Sequence, residues 1–404
     1  MRILQINKFF YPRGGAERYL LDLMQLLEER GHEVAPFSMR HRRNAAHTYD
    51  PYFVSHVDYS DEAGVLGAAA TAARTIYNRE ARRKLTALID VFRPDVAHLH
   101  NIHHQLTGSV IDALLEAGVP IVQTLHDYQW VCPVYTFVSH GEVCEACRGR
   151  RFHQAVVKRC QGGSIVRSAV AALELAVGAG KKWTRRIDRF LAPSRFLAEK
   201  VVEHGLPAAS VRQQDYALCL ERYRRARAAG GHALYAGRLA SEKGVETLFD
   251  ALARVPGLSL RVAGTGPLEP SLRRRAEAEL PGRVSFLGYL EADALHAQVS
   301  EAAFVVVPSE WYENQPFAVL EAFALGTPVV GAAIGGIPEL VVPDRTGLLF
   351  PSGSAPDLAE ALRGMAARPD RGALGAAART LVEERFEPGR HVDALLAVYR
   401  EVAR

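Results

Sequence analysis

The sequence predicts an α/β protein made of two units, each a parallel β-sheet with helices on both faces. Short apolar runs alternate with longer amphipathic stretches from the first residues onward, and the alternation begins again in the second half of the chain. The length of 404 residues suits two or three domains of ordinary size. These observations indicate two similar units joined by a linker.

The predicted strands are short and apolar, and the predicted helices carry apolar residues at helical spacing. In the first half we expect strands at residues 2–7, 33–38, 95–100 and 120–126, and a helix at 16–29 that Gly31 ends. In the second half we expect strands at 232–237, 258–264, 284–287 and 303–308, and helices at 245–254, 267–279 and 292–300. Residues 205–231 contain Pro, Ala, Gly and five arginines, which indicates the linker.

The composition excludes several classes of protein. Hydrophobic residues make up 48% and charged residues 23%, a globular mixture. The net charge of +4 does not predict a nucleic-acid partner, and five cysteines do not form a disulfide scaffold. No apolar run approaches the roughly 20 residues that span a bilayer, and residues 1–7 resemble a strand rather than a secretion signal. We expect a cytoplasmic protein, with association at the inner face of a membrane as an open alternative.

The most informative stretch, residues 309–326, contains two glutamates eight positions apart, Glu313 and Glu321. Pro316 fits the first turn of a helix that Gly326 ends, so Glu313 would precede the helix and Glu321 would lie inside it. The N–H groups at a helix start bind anions, and carboxylates accept hydrogen bonds from sugar hydroxyls. This arrangement suits a nucleotide sugar. An ordinary helix with one surface glutamate is the alternative.

Other candidate ligand groups follow predicted strands. Arg238 and Lys243 suit a diphosphate and can replace a metal as its counter-charge, or they are solvated surface charges. Gly14 and Gly15 let backbone N–H groups approach a phosphate or sugar, or they form a tight turn. His126 can bind a sugar hydroxyl or be structural. We expect four nearby histidines to line the ligand cleft rather than hold a metal, namely His98, His100, His103 and His104.

Two further features lie in the first half of the chain. Cys132, Cys144, Cys147 and Cys160 fall within 29 residues and suit a structural zinc site, with free buried thiols or a disulfide as alternatives. The stretch 148–189 is basic, and residues 165–177 show apolar helical spacing. A helix packed on the sheet with a solvated basic rim is favoured. A helix resting on an anionic membrane is the alternative.

Together these stretches resemble glycosyltransferase family 4, which has the GT-B architecture of two Rossmann-like, doubly wound domains facing a cleft. The resemblance covers nearly the whole chain and includes the E-x7-E motif of retaining enzymes at Glu313 and Glu321. The matching stretches are residues 14–34, 190–200, 235–252, 262–269 and 310–341.

The resemblance implies roles for individual residues. Glu313 would contact the donor sugar, Glu321 the ribose, and Arg238 and Lys243 the diphosphate, while His126 would contact the sugar. We take His126, Glu313, Arg238 and Lys243 as the catalytic set. Further donor-binding residues implied are Gly14, Gly15, Gly264, Asn314, Gln315, Pro316 and Phe317.

The implied activity is that of a retaining, metal-independent hexosyltransferase without a catalytic cofactor. It would move a sugar from a UDP- or GDP-sugar to an acceptor hydroxyl, in cell-envelope polysaccharide or natural-product glycoside biosynthesis. Residues 1–215 would bind the acceptor and carry a Cys-rich insertion at about 130–165, residues 216–388 would bind the donor, and residues 389–404 would form a helix crossing back. A sugar-nucleotide epimerase and a non-catalytic sugar or nucleotide binding module are the alternatives. The sequence does not determine the base, the sugar, the acceptor or the oligomeric state.

Overall fold

Parallel sheets form the centres of two units in the computed structural model, which describes residues 1–56, 65–224 and 230–403, without the side chains of 65–70. The first unit comprises Met1–Ser139, Cys144–Ala217 and Pro388–Arg404. The second comprises His140–Val143 and Leu218–Glu387. The chain therefore leaves the first unit near Ala217 and returns to it at Pro388.

The first unit contains a six-stranded parallel sheet. Its strands are β1 (Arg2–Ile6), β2 (Glu33–Phe37), β3 (Val96–Leu99), β4 (Ile121–Thr124), the short β5 (Val138–Ser139), β7 (Arg189–Ala192) and β8 (Val211–Gln213), whereas the short β6 (Glu142–Val143) lies in the stretch His140–Val143 of the second unit. The large sheet has the order β2-β1-β3-β4-β7-β8. The order reverses between β1 and β3, which makes this sheet doubly wound.

Helices flank this sheet. They are α1 (Gly15–Glu29), α2 (Val65–Ile76), α3 (Arg79–Phe92), α4 (Ser109–Glu116), α5 (His153–Val157), α6 (Ile165–Gly180) and α7 (Arg195–Glu203). In α1 the residues Tyr19, Leu20, Leu23 and Leu27 are buried, at the helical spacing that the sequence predicts.

The second unit repeats the architecture. Its strands are β9 (Ala233–Ala236), β10 (Leu260–Ala263), β11 (Val284–Gly288), β12 (Phe304–Val307), β13 (Val329–Ala332) and β14 (Gly347–Phe350). Its helices are α8 (Val245–Ala253), α9 (Glu269–Glu279), α10 (Ala292–Glu301), α11 (Phe317–Ala324), α12 (Ala355–Ala367) and α13 (Arg371–Arg385). The strand order β11-β10-β9-β12-β13-β14 is that of a Rossmann sheet, with the reversal between β9 and β12.

The last helix, α14 (Pro388–Val402), belongs to the first unit. It is held there by buried hydrogen bonds. The hydroxyl of Tyr399 lies 2.6 Å from Nδ1 of His98, and the hydroxyl of Tyr19 lies 2.9 Å from Nε2 of His391. A segment at the end of the chain thus completes the core of the first unit.

Every predicted strand is present within one or two residues of its expected bounds, because buried parallel strands leave continuous apolar runs. The interpretation of residues 205–231 as linker is wrong in part. Strand β8 lies inside that span and pairs with β7, with Leu191 opposite Arg212. Its sequence VRQ is half-exposed or exposed, as an edge strand permits, and so carries no apolar signal.

Among the described residues, no helix is both long enough and apolar enough to cross a bilayer.

Candidate functional site

The carboxyl ends of β9 and β12 flank the reversal of strand order in the second unit, where open α/β sheets bind ligands. The loop after β9 carries Arg238 and Lys243, and the loop after β12 carries Ser309 and Glu313. The sheet therefore brings together groups that lie about 70 residues apart in the chain.

The centre of this site is an ion pair between Lys243 and Glu313. The Lys243 ammonium donates to Oε1 of Glu313 at 2.6 Å, and the hydroxyl of Ser309 donates to the same oxygen at 2.8 Å. The ammonium also lies over the Trp311 ring, 4.5 Å from its centroid. Glu313 is buried, whereas about a quarter of the Lys243 side chain is exposed.

Glu313 remains ionised in this setting. Burial alone would raise the pKa of its carboxyl group, but the charge of Lys243 and the hydrogen bonds from Lys243 and Ser309 outweigh burial and hold the pKa below its ordinary value. An ionised carboxylate is an acceptor only. Glu313 can therefore accept a ligand hydroxyl but cannot serve as a general acid at neutral pH.

The backbone around this pair is closely packed. The carbonyl oxygen of Glu313 accepts from the N–H of Gly336 at 2.7 Å, and the N–H of Glu310 donates to the carbonyl of Glu242 at 2.9 Å. Gly244 has a φ of 66°, and a Cβ atom there would stand 1.9 Å from the carbonyl oxygen of Pro308. The loops after β9 and β12 thus fix each other in place.

Helix α11 follows the ion pair. Pro316 has a ψ of 119° and is the N-cap of this helix, one residue before the first turn that the sequence predicts for it. The carbonyl oxygen of Pro316 accepts the first hydrogen bonds of the helix, from the N–H of Val319 at 3.0 Å and from the N–H of Leu320 at 3.3 Å, as an N-cap carbonyl does. Gln315 and Glu321 are buried, and Glu321 is the fifth residue of the helix.

Arg238 and Gly264, two other predicted ligand residues of this unit, lie outside the ion pair. Arg238 is exposed, and its carbonyl oxygen accepts from the Tyr235 hydroxyl at 2.7 Å. At Gly264 a Cβ atom would stand 1.9 Å from the carbonyl oxygen of Gly237, so the close approach of two backbone segments explains this glycine. The packing requires glycine at 264 whether or not a ligand binds there.

In the first unit, Gly14 and Gly15 stand at the start of α1. Gly14 is the N-cap, with a φ of −160° and without a side-chain cap. Neither glycine has a positive φ, so the turn itself does not require glycine at these positions. This weakens the tight-turn interpretation and leaves the first-turn amides of α1 as a candidate anion contact.

His126 belongs to a chain of hydrogen bonds. Its Nε2 lies 2.9 Å from Nδ1 of His100, and its Nδ1 lies 2.8 Å from the hydroxyl of Tyr216. Nε2 of His100 lies 2.8 Å from Oε1 of Gln5. Because Oε1 of Gln5 only accepts, His100 must donate to it from Nε2 and accept from His126 on Nδ1.

The tautomer of His126 follows from this chain. Its Nε2 carries the proton and its Nδ1 accepts from Tyr216. Burial lowers the pKa of His126 to about 3, so the ring is neutral at physiological pH. For the ring to bind a sugar hydroxyl, the ligand must replace one of these two hydrogen bonds.

The expectation that the other histidines line a cleft is wrong for His98 and His100. Both are fully buried, and burial lowers the pKa of each, as it does for the buried His103. His98 sits between the hydroxyls of Tyr399 and Thr124, at 2.6 and 2.8 Å. His104 pairs with the buried Glu174 at 2.6 Å. The sequence shows that His98 and His100 share a predicted strand, but not that Tyr399 of α14 contacts His98.

The four clustered cysteines are free thiols in the structure, as is Cys219, so the disulfide alternative is wrong. Cys132 is buried, and Cys144, Cys147 and Cys160 are half-buried.

Sequence reasoning missed several residues of the site. Ser309 and Trp311 contact the ion pair, Gly244 allows the approach of the two loops, and Tyr216 completes the His126 chain. Ser309 and Trp311 stand within four residues of Glu313, so their proximity in the chain was the available signal. Tyr216 gave none, because it lies 90 residues from His126.

Comparison with known families agrees with this geometry. Residues 13–213 match the family described as Glycosyltransferase Family 4, and residues 230–368 match the family described as Glycosyl transferases group 1. The chain belongs to glycosyltransferase family 4. Its two Rossmann-like units are those of the GT-B fold.

Individual relatives of this family-4 chain are distant. It is 29% identical over 175 residues to alpha-D-kanosaminyltransferase of Streptomyces kanamyceticus, a match over 42% of this chain and 45% of that enzyme, so the match spans about half the length of that relative. It is 27% identical over 388 residues to glycogen synthase of Mycobacterium tuberculosis, over 90% of this chain and 85% of that enzyme.

A solved structure supports the fold. HepE of Anabaena, in complex with UDP-glucose, superposes with a TM-score of 0.67 at 18% identity, over 99% of each chain. At this identity the likeness extends to the fold alone.

Proposed function

We propose that the chain transfers a hexosyl group from a UDP- or GDP-sugar to an acceptor hydroxyl, with retention of configuration at the anomeric carbon and without a catalytic metal. The observation that carries the proposal is the Lys243–Glu313 pair at the carboxyl ends of β9 and β12, directly before α11. It offers a cation, an ionised carboxylate and a helix start to one ligand.

The donor diphosphate is assigned to Lys243, Arg238 and the start of α11. The Lys243 ammonium has three N–H donors, and the bond to Glu313 uses one of them. Arg238 is exposed and offers the planar fork that matches phosphate oxygens. The N–H groups of Asn314, Gln315 and Phe317 lie where a helix start attracts negative charge, while Pro316 has no N–H to offer.

The two carboxylates are assigned to the hydroxyls of the donor. Glu313 accepts from the sugar, because its carboxylate is held ionised beside Lys243. Glu321 accepts from the ribose, whose adjacent hydroxyls suit a carboxylate. Retention is proposed from the E-x7-E spacing of these two residues.

The reaction needs no nucleophile from the protein. The bond between the anomeric carbon and the diphosphate oxygen breaks, the acceptor oxygen bonds to that carbon on the same face, and the acceptor proton passes to the departing diphosphate. Lys243 and Arg238 stabilise the charge that develops on the diphosphate. His126, Gly14 and Gly15 are proposed as contacts of the first unit to sugar and phosphate.

The test separates binding from turnover. In Lys243→Met we expect UDP or GDP to bind about 10- to 100-fold more weakly, the loss of one charge-assisted hydrogen bond. In Glu313→Gln we expect nearly unchanged diphosphate affinity but about 100-fold or greater loss of turnover of the UDP- or GDP-sugar. Calorimetry and assay of nucleoside diphosphate release measure the two quantities.

The matched control is Glu279→Gln, which neutralises an exposed glutamate of α9 paired with Arg275. Binding and turnover should equal those of the wild type. Wild-type turnover in both Lys243→Met and Glu313→Gln, with the protein folded, contradicts the proposal.

The alternatives give different products. An epimerase converts the donor sugar without any acceptor, and a binding module binds nucleotide but never releases nucleoside diphosphate from the donor. The base is tested by a thermal-shift panel of UDP-, GDP- and ADP-sugars, because binding raises the unfolding midpoint by mass action. The complex of HepE with UDP-glucose favours UDP as the first arm of that panel.

We propose as a separate point that α6 contacts an anionic membrane, where a lipid-linked acceptor in cell-envelope polysaccharide synthesis would lie. One face of α6 is buried through Ala171, Ala172 and Leu175, as the favoured interpretation of a packed helix predicts. The outer face exposes Val166 and Leu173, with exposed fractions of 71% and 49%. Basic residues flank this apolar face at positions 158, 159, 181 and 182.

Liposome sedimentation tests this contact. Wild-type protein should bind phosphatidylglycerol vesicles at low salt, and Val166→Asp/Leu173→Asp should bind at least about 10-fold less. Neutral phosphatidylcholine vesicles are the control. Equal binding by the double variant overturns the assignment of α6.

A further inference from the structure

The segment from Cys132 to Cys160, which belongs to the first unit except for His140–Val143, contains little regular structure. Over 29 residues its helices and strands are limited to β5, β6, a single 3-10 turn and the five-residue α5. One apolar cluster joins its Phe152 to Ala172 and Leu175 of α6. A long segment with so little regular structure often has another source of stability, such as a cross-link or a metal.

Backbone contacts bring the four cysteines of this segment together. The sulfur of Cys132 accepts hydrogen bonds from the N–H groups of Val134 and Phe137. The carbonyl of Phe137 in turn accepts from the N–H of Cys144 at 2.6 Å. The backbone of Phe137 therefore contacts both Cys132 and Cys144.

The other two cysteines meet at α5. The N–H of Ala155 donates to the sulfur of Cys147, and the carbonyl of Ala155 accepts from the N–H of Cys160 at 3.0 Å. The sulfur of Cys160 lies 3.5 Å from the hydroxyl of Ser139, next to the Cys132 side of the cluster. Cys160 therefore lies beside Ser139 of β5, two residues after the Phe137 that contacts the first pair.

The four sulfurs lie in one neighbourhood. Those of Cys132, Cys144 and Cys160 lie within electrostatic range of the sulfur of Cys147, and those of Cys144 and Cys160 also lie within range of Cys132.

We propose that Cys132, Cys144, Cys147 and Cys160 bind one Zn²⁺ as a closed, structural site. Four thiolates fill the tetrahedral coordination of zinc and leave no position for water, which makes the site structural rather than catalytic. The N–H groups that point at Cys132 and Cys147 supply the outer contacts that stabilise metal-bound thiolates. Binding forms four Zn–S bonds and releases the four thiol protons to solvent.

Metal binding requires the sulfurs to move closer. Tetrahedral Zn–S bonds place sulfurs about 3.8 Å apart. Within the described part of the chain, the one group of three or more ligand-type residues whose ligand atoms all lie within 4.8 Å is Glu145, Glu203 and His204. That group already surrounds Lys200, which pairs with Glu145 at 3.1 Å and Glu203 at 2.9 Å. The lysine supplies its counter-charge.

Metal analysis of the full chain tests the proposal. Protein expressed with zinc in the medium should hold about one Zn²⁺ per chain after dialysis, and thiol modification should release it. Cobalt-substituted wild-type protein should show sulfur-to-cobalt charge-transfer bands and the visible absorption of a tetrahedral site.

The variants compare cysteines inside and outside the cluster. Cys147→Ser should lose at least about 90% of the bound zinc and lower the unfolding midpoint, whereas Cys219→Ser should keep both. If Cys147→Ser does not fold, the cobalt spectrum of the wild type decides. Wild-type protein with less than about 0.1 Zn²⁺ per chain, no cobalt bands and a midpoint unchanged by added zinc overturns the proposal. Nucleotide binding at Lys243 is measured separately and does not depend on this result.

Discussion

At the scale of single residues, Gly244 shows how a backbone position determines the geometry of the site. Its φ of 66° lies in the left-handed region, and its α-carbon faces the carbonyl oxygen of Pro308. Gly282, in the same unit, has a similar φ of 73°, but a Cβ atom there would meet nothing within 4 Å. The two glycines therefore differ only in the steric contact.

We expect Gly244→Ala to lower the free energy of unfolding by more than about 3 kcal/mol, since the clash adds to the backbone strain, and Gly282→Ala to cost only about 1 kcal/mol. Urea unfolding of the two variants measures the difference. Gly244→Ala should also weaken nucleotide binding, because Lys243 is its neighbour. Equal stability of the two variants would show that the loop around Gly244 accommodates the added Cβ atom without a loss of stability.

At the scale of elements, α14 is joined to β1 and β3 through Tyr399. Its hydroxyl lies 2.6 Å from Nδ1 of His98 and 3.4 Å from Nε2 of Gln5, all in the buried core. Loss of this hydroxyl would leave buried polar atoms without a partner. The helix is therefore fixed by polar contacts as well as by its apolar face.

The corresponding prediction is that Tyr399→Phe lowers the free energy of unfolding of the first unit by about 1 to 3 kcal/mol. The matched control is Tyr289→Phe, because Tyr289 is 68% exposed and should change stability by less than about 0.5 kcal/mol. Hydrogen exchange of the β1 and β3 amides, together with urea unfolding, reports on the first unit. A neutral effect of Tyr399→Phe would mean that apolar packing alone holds α14.

At the scale of the whole molecule, several buried histidines of the first unit are neutral in the folded protein. Burial lowers the pKa of each, to about 3 for His103 and His126 and to about 4 for His391. Burial also places the pKa of His98 and His100 well below the ordinary value. In the unfolded chain each would titrate near 6.5.

The consequence is acid sensitivity. The unfolded chain binds more protons below pH 6.5, so the stability present above that pH is lost as pH falls towards the folded pKa values. Each such histidine costs up to about 1.4 kcal/mol per pH unit below 6.5. The urea concentration at the midpoint of unfolding should be the same at pH 8 and pH 7 and should fall steeply between pH 6.5 and pH 4. A level midpoint down to pH 5 would mean that these rings accept protons in the folded state.

The sequence by itself determined the strands β1–β4 and β9–β12, the helices α8–α11 of the second unit and the acidic loop, because apolar periodicity and turn residues act over a few neighbours. Glu313 and Lys243 were recognisable as ligand groups from their places after predicted strands. Only the tertiary structure decided that they form an ion pair, that β8 extends the sheet, and that α14 covers His98. Each of these contacts joins residues far apart in the chain, and the order of strands in a sheet selects such partners while local pattern does not.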